Sequence, residues 1–410
     1  MALAVPGSQM KGCLLKNADE ARLLELAGAN LLALEKLVDY NIKNGIRMFR
    51  VSSDLIPFGS SMAAALPWEK AHADILSAIS QKIAVSGMRI SMHPGQYTVL
   101  NSPDGQVYSR AVEDLRYHAK VLDSLGAGAE GKIILHIGGV YGDKTSAKAR
   151  FVDRCQDLEP RVLARLALEN DDKLFDIGDV LEICEKTRLP CVYDNLHNAL
   201  NPADETRGDG EWVRLARATW KGADGRQKIH YSQQNKEKKP GSHSETIGID
   251  GFFSFLEAIS GSDADIMLEV KDKNLSAIKC ILCIQNMGIG ALETEWGRYK
   301  YRVLERSPEM YLEIKNLLKD KTAYPAIKMY SMIEQALALP IQAGSAVNAA
   351  QHVWGYFKEK GSTAEKKRFE NALRKFVSGE KGILTVKNTL KTLADKFGDD
   401  YLLNSYYFSG

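Results

Sequence analysis

Long apolar runs are missing from this 410-residue chain: none approaches the ~18 residues that a membrane span needs. The opening residues, MALAVPGSQMKGC, lack the basic segment and short apolar core of a secretory leader. Both absences point to a cytoplasmic protein. Cysteine is sparse, with Cys13, Cys155, Cys184, Cys191, Cys280 and Cys283 scattered along the chain. Cys280 and Cys283 form a C-x-x-C, but in IKCILCIQNMG that spacing lies on an apolar helical face, with no second pair at zinc-ribbon distance. They read as core thiols, and no disulfide is expected in a reducing compartment. Strong charge of one sign is absent too. The formal net charge of +2 demands no polyanionic partner and excludes none. What remains, 45% hydrophobic and 26% charged residues without internal repeats, is the composition of a globular protein. At this length one large domain and a smaller one are expected.

From residue 45 onward, short β-rich runs alternate with longer amphipathic segments. The runs are GIRMFRVSS (45–53), MRISMH (88–93), KIILHIG (132–138), RLALEN (165–170), PCVYDN (190–195), QKIHYS (227–232) and ADIMLEVK (264–271). Between them, apolar residues recur at helical spacing and several segments close on glycine. Strands separated by helix-length crossovers imply parallel βαβ units. An eighth strand would have to precede the helix ADEARLLELAGANLLALEKLVDYNIKNG, where only ALAV (2–5) is available. The expectation is a TIM (β/α)8 barrel over residues 1–297. Residues 298–410 contain helical periods without β-runs, so this part is expected to be an all-α accessory domain. It is mildly basic, with 17 Lys and Arg against 12 acidic residues in 301–410.

The strand ends carry the chemistry. Near the C-terminal ends of the seven runs stand Ser52, His93, His136, Glu169, Asp194, His230 and Glu269, six of them metal-ligand types. The chain has only eight histidines, and His93, His136, His197, His230 and His243 lie at strand ends or in the loops just after them. A barrel brings all its strand ends to one face, so these residues would crowd into one pocket. Eight candidate ligands (His93, His136, Glu169, Asp194, His197, His230, His243 and Glu269) exceed what one ion takes. Carboxylates packed this closely resist ionisation unless cations lie between them. Such a set suits two or three divalent ions clamping the oxygens of an in-line phosphoryl displacement. Mixed N and O ligands without thiolate fit Mn²⁺ or Zn²⁺, with Mg²⁺ as a further alternative.

Lys228 precedes His230 by two residues and points the same way along its strand. It could bind a substrate phosphate or be carbamylated into an anionic group beside the metals. Lys228, His230 and Glu269 are the candidate catalytic residues. Lys144, Lys148 and Arg150 in YGDKTSAKAR, and Lys236, Lys238 and Lys239 in SQQNKEKKPGSH, rim the same face and are read as contacts to a nucleic-acid backbone.

Taken together, FRVSSDLIPFGSS (49–61), SMHPGQYTVLNSP (91–103), ILHIGGVYGDK (134–144), LALENDD (166–172), VYDNLHNALNP (192–202), KIHYSQQ (228–234), PGSHS (240–244) and ADIMLEVKDK (264–273) resemble the UV damage endonucleases. The resemblance spans about residues 12–275, with the motifs in the family's order and spacing. It implies a TIM barrel related to endonuclease IV, a manganese-type cluster of two or three ions, and incision of duplex DNA 5′ to pyrimidine dimers, 6-4 photoproducts and abasic sites. The eight candidate ligands fall on the family's metal ligands, and Lys228 on the lysine it places at the metal site. Gln96 and Tyr97 match its lesion probe. One departure is plain: members typically begin with a strand containing Gly-Tyr, and this chain does not. The segment from His352 to Leu402 resembles a small helical domain of unknown function.

The implied partner is damaged double-stranded DNA, bound by a monomer without an organic cofactor. A strict abasic-site endonuclease and a metal-dependent sugar isomerase or epimerase on the same barrel are the rival readings.

Overall fold

The computed structural model describes Val5 and residues 8–408, and all seven β-runs are strands in it. They are β1 (Met48–Val51), β2 (Arg89–Met92), β3 (Ile133–His136), β4 (Leu166–Glu169), β5 (Cys191–Asp194), β6 (Gln227–Tyr231) and β7 (Ala264–Leu268). Every neighbouring pair is parallel and the spatial order is the chain order, β1 to β7. This is a nearly closed TIM-type barrel of seven strands. Between β1 and β7 no backbone pairing occurs among the described residues. The expected strand at 2–5 lies outside the described residues except for Val5, which is in no strand.

Each strand is four or five residues long; β2 to β6 are largely buried, because the barrel interior covers one face and the outer helices cover the other, while β1 and β7 are partly exposed. That double burial explains the near-continuous apolar spelling of the runs. The crossover helices are bounded by local chemistry. Asp104, Asp143 and Asp176 each accept backbone N–H bonds as N-caps of the helices Gly105–Ser124, Lys144–Gln156 and Ile177–Thr187. Gly87 ends the helix Ala73–Ser86 at φ 65°, a left-handed position that costs glycine nothing.

At the N-terminal mouth of the barrel, Arg89 ties β2 to its distant neighbours. It donates to the carbonyls of Glu130 and Asp224 at 2.9 Å and to the Asp265 carboxylate of β7 at 2.9 Å. Buried Lys132 donates to Asp224 at 2.6 Å beside it. Charge pairs at this end, away from the strand C-termini, suit a structural role.

Helix packing leaves one position without room. A Cβ on Gly210, in the helix Asp209–Arg217, would lie 2.1 Å from the Ala258 carbonyl oxygen. That obstacle is backbone and cannot swing aside. Gly210→Ala is therefore expected to lower stability by about 1–3 kcal/mol, read from the urea midpoint. An unchanged midpoint would mean that the two helices separate freely.

By packing, the chain divides into two units: residues 8–247 with 253–273, and residues 248–252 with 274–408. The second is helical throughout, including the helices Pro308–Leu317, Ala326–Ala338, Ala343–Trp354, Thr363–Val377 and Ile383–Phe397. Its core gathers Val353, Phe357, Phe369, Leu390 and Tyr407, among others. Within it the Glu305 carboxylate is fully buried and accepts from Lys387 at 2.9 Å. The C-x-x-C cysteines lie on the helix Asn274–Ile284, with Cys280 buried. No helix among the described residues is long and apolar enough to cross a membrane.

Candidate metal centre

Register decides which side chains meet. His136, the last residue of β3, pairs with Glu169, the last of β4, and Asp194 of β5 pairs with His230 of β6. Glu169 stands at the centre and is only 1% exposed. Its Oε2 lies 2.9 Å from His93 Nε2 and 3.6 Å from His136 Nε2. Its Oε1 lies 2.6 Å from His230 Nδ1 and 3.9 Å from His197 Nδ1. Glu269 continues the cluster, 3.2 Å from His230 and 3.8 Å from His243. Three ligand groups result: His93, His136 and Glu169; Glu169, Asp194 and His197; and Glu169, His230 and Glu269. The residues separated by up to 176 positions in sequence thus form one connected constellation, with Glu169 in every group.

Two local devices aim the ligands. Asp194 Oδ1 accepts the His197 N–H at 2.8 Å, capping the short helix Asn195–Leu200 and turning His197 toward the site. Buried Asn170 exchanges both backbone bonds of Asp194 with its side-chain amide, while its own carbonyl accepts from His197 Nδ1 at 2.9 Å. His243 reaches the cluster on a small antiparallel excursion. Gln234 bridges His243, and the Asn235 N–H donates to the Ser242 carbonyl at 2.7 Å. That excursion carries Lys236, Lys238 and Lys239 on its exposed tip.

The electrostatics fit a cation site. Burial opposes ionisation of Glu169, yet His230, His136 and His93 outweigh it and hold the carboxyl well below its ordinary range. Burial pushes Asp194 up to about 7, despite the pull of His197. Burial also raises the Glu269 carboxyl, but Arg50 and His230 bring it down to about 2. His136 and His230 are pushed down, chiefly by burial, which favours the neutral imidazole, with one ring nitrogen free of a proton and able to coordinate. Buried His136 Nδ1, Asp194 Oδ2 and His230 Nε2 have no hydrogen-bond partner among the described residues. Orphaned donor atoms of this kind, on imidazoles and a carboxylate and without thiolate, are what a hard or borderline divalent ion would satisfy. The residues present fit the group.

The chain supplies one cation here that strand-end reading passes over. Arg50 of β1 forms an ion pair with Glu269, whereas exposed Ser52, just past the end of that strand, accepts the Asp54 N–H. Its signal was parity: residues 50 and 52 face the same way along a strand. Lys228 is 1% exposed and donates to Ser91 Oγ at 2.5 Å. Burial, with Arg89 and Arg50 nearby, pushes its ammonium far below the usual lysine range.

Next to His93 the chain turns outward. Gln96 and Tyr97 are exposed at the tip of this loop, Tyr97 by 71%. Its ring lies over Gly95, where a Cβ would be 2.4 Å from the ring, and Thr98 anchors the far side by donating to Asp114 at 2.6 Å. The expected backbone contacts are placed differently from one another. Lys148 pairs with Asp179 at 3.0 Å and with Glu182, and Lys144 pairs with Asp179 as well. Those lysines join two outer helices. Lys238 pairs with Glu245 at 2.8 Å, and Lys236 and Lys239 are exposed. Arg150 Nε donates to the Asn101 carbonyl at 3.0 Å.

A family model described as UV-endonuclease UvdE matches residues 8–292. The chain belongs to that family. Residues 300–410 match a second family, DUF1722, described as a protein of unknown function. A UV DNA damage endonuclease of Clostridium perfringens is 40% identical over 332 residues, covering 80% of this chain and 79% of that protein. One from Bacillus cereus strain Q1 is 30% identical over 268 residues, 65% of this chain and 84% of that protein. The crystal structure of SacUVDE superposes with a TM-score of 0.64 at 38% identity, covering 68% of this chain and 93% of that one. Membership of the UvdE family makes this chain a DNA repair endonuclease, and the ligand constellation lies within its UvdE portion.

Proposed function

We propose that this chain incises duplex DNA on the 5′ side of UV photoproducts, and at abasic sites, with two or three divalent ions held by the eight ligands. The mixed imidazole and carboxylate set suits manganese or zinc, and the family resemblance favours manganese. The observation that carries the reading is the shared position of Glu169, which belongs to all three ligand groups and touches four histidines. Once bound there, divalent ions would supply the Lewis acidity that phosphodiester hydrolysis needs.

The remaining steps fall to the chain's own residues. His93, His136, Asp194, His197 and His243 keep the ligand cage in shape, and Glu269 is steadied by Arg50. A damaged dinucleotide is poorly stacked and costs less to extrude than a normal pair. Gln96 and Tyr97, exposed two and three residues beyond Pro94, stand where a wedge into that gap would enter. Lys228 is buried, and burial favours its uncharged amine, the form that accepts carbamylation. Lys236 and Lys239, exposed on the excursion ahead of His243, are free to neutralise backbone phosphates.

The test is nicking of supercoiled plasmid by the purified chain with Mn²⁺. UV-irradiated plasmid is expected to be nicked and unirradiated plasmid spared, with activity lost to a chelator. Incision of abasic plasmid alone would restrict the enzyme to abasic sites, and no incision of either would overturn the reading.

A further inference from the structure

The loop after β3 holds a residue that its backbone does not favour. The Asp143 N–H donates to the Val140 carbonyl at 3.0 Å, closing a turn whose central residues are Tyr141 and Gly142. Both have positive φ, 50° and 84°. That is the pattern of a type I′ turn, where Asn, Asp and Gly dominate the first central position. Tyrosine there is strained, and the strain calls for an explanation.

Burial does not provide one, because Tyr141 is 46% exposed. Its ring instead folds over Gly139, where a Cβ would lie 2.9 Å from the ring. The Arg150 guanidinium sits 5.7 Å from the ring centre. Arg150 forms no ion pair among the described residues, unlike Lys144 and Lys148 on the same helix. The mount is stiff. Arg150 Nε donates to the Asn101 carbonyl at 3.0 Å, and Asn101 Nδ2 donates to the Gly139 carbonyl at 2.8 Å. This staples the loop carrying Tyr97 to the loop carrying Tyr141, five residues beyond the ligand His136.

We infer that Tyr141 and Arg150 form a nucleotide subsite beside the metal centre: a nucleobase stacks on the exposed ring and its phosphate meets the guanidinium. An aromatic ring with an arginine alongside suits any base, since every base has a π-face. The inference rests on the DNA-incision reading above and adds a contact to it. The strained turn keeps the ring half-exposed over Gly139, at the surface where a base could reach it.

Stopped-flow anisotropy of the full chain with a labelled duplex bearing one thymine dimer reads binding before incision. Tyr141→Phe is expected to bind within about twofold of the unaltered chain, while Tyr141→Ala and Tyr141→Gly each weaken binding about tenfold. The glycine variant separates stacking from scaffolding, because it relieves the turn as it removes the ring. Its thermal midpoint is expected to match or exceed that of the unaltered chain. Tight binding by Tyr141→Gly would overturn the subsite alone. Absence of binding by the unaltered chain would instead overturn the DNA reading on which it rests.

Discussion

Glu169→Gln is expected to reduce incision of UV-irradiated DNA by about a thousandfold or more, while the barrel stays folded. The substitution keeps the shape of a side chain that is 1% exposed. It removes a charge that all three ligand groups share and puts an N–H donor where His93 or His230 now faces an acceptor. Lewis-acid stabilisation is worth several kcal/mol, and each 1.4 kcal/mol lost costs about tenfold in rate. Elemental analysis of the purified variant should show at least one fewer ion per chain than the unaltered protein. Circular dichroism should show the same helix content. Unchanged metal content with unchanged nicking would remove Glu169 from the site. Unchanged metal content with lost nicking would keep the carboxylate but assign its charge to the reaction and not to holding the ions.

Much of this site was legible before any coordinates, for a physical reason. Parallel strands buried on both faces are written as short apolar runs, so β1 to β7 stood out, and a polar residue closing such a run is conspicuous. His93, His136, Glu169, Asp194, His230 and Glu269 were visible in this way, and the fold's single catalytic face did the rest. What stayed hidden depended on partners distant in sequence. Lys144 and Lys148 look like free cations until the helix Ile177–Thr187 brings Asp179 and Glu182 against them. Asn170 is unremarkable in a string, yet its amide closes both backbone bonds of Asp194. The excursion that swings His243 back depends on the Asn235–Ser242 bond and not on any periodicity. Tyr141 carries no sequence signal at all, since the anomaly lies in its φ.

Arg50 is the most consequential of these hidden residues, because of where the barrel is open. β1 and β7 share no backbone bonds among the described residues, so side chains must link them. Near the bottom Arg89 of β2 reaches Asp265 of β7, and at the top Arg50 of β1 pairs with Glu269, directly after β7. The upper pair therefore joins the barrel edges and steadies a metal ligand with the same bond. Removing a residue that orients a ligand commonly costs about 10–100-fold in metal affinity or activity. Arg50→Ala is expected to fall in that range, with Arg50→Lys recovering part of the loss, because lysine keeps the charge but not the planar fork.

The pH dependence distinguishes positioning from simple loss of fold. Glu269 sits at about 2 against an ordinary 4.5, so its ionised form contributes stability that is present above pH 4.5 and is lost as pH falls toward 2. Without Arg50, its strongest ionic support, the Glu269 pKa rises and that contribution shrinks. In metal-free protein, Arg50→Ala should then lose less stability between pH 5 and about 3 than the unaltered chain does. An equal acid loss in both proteins, together with unaltered nicking by Arg50→Ala, would show that Glu269 needs no support from β1.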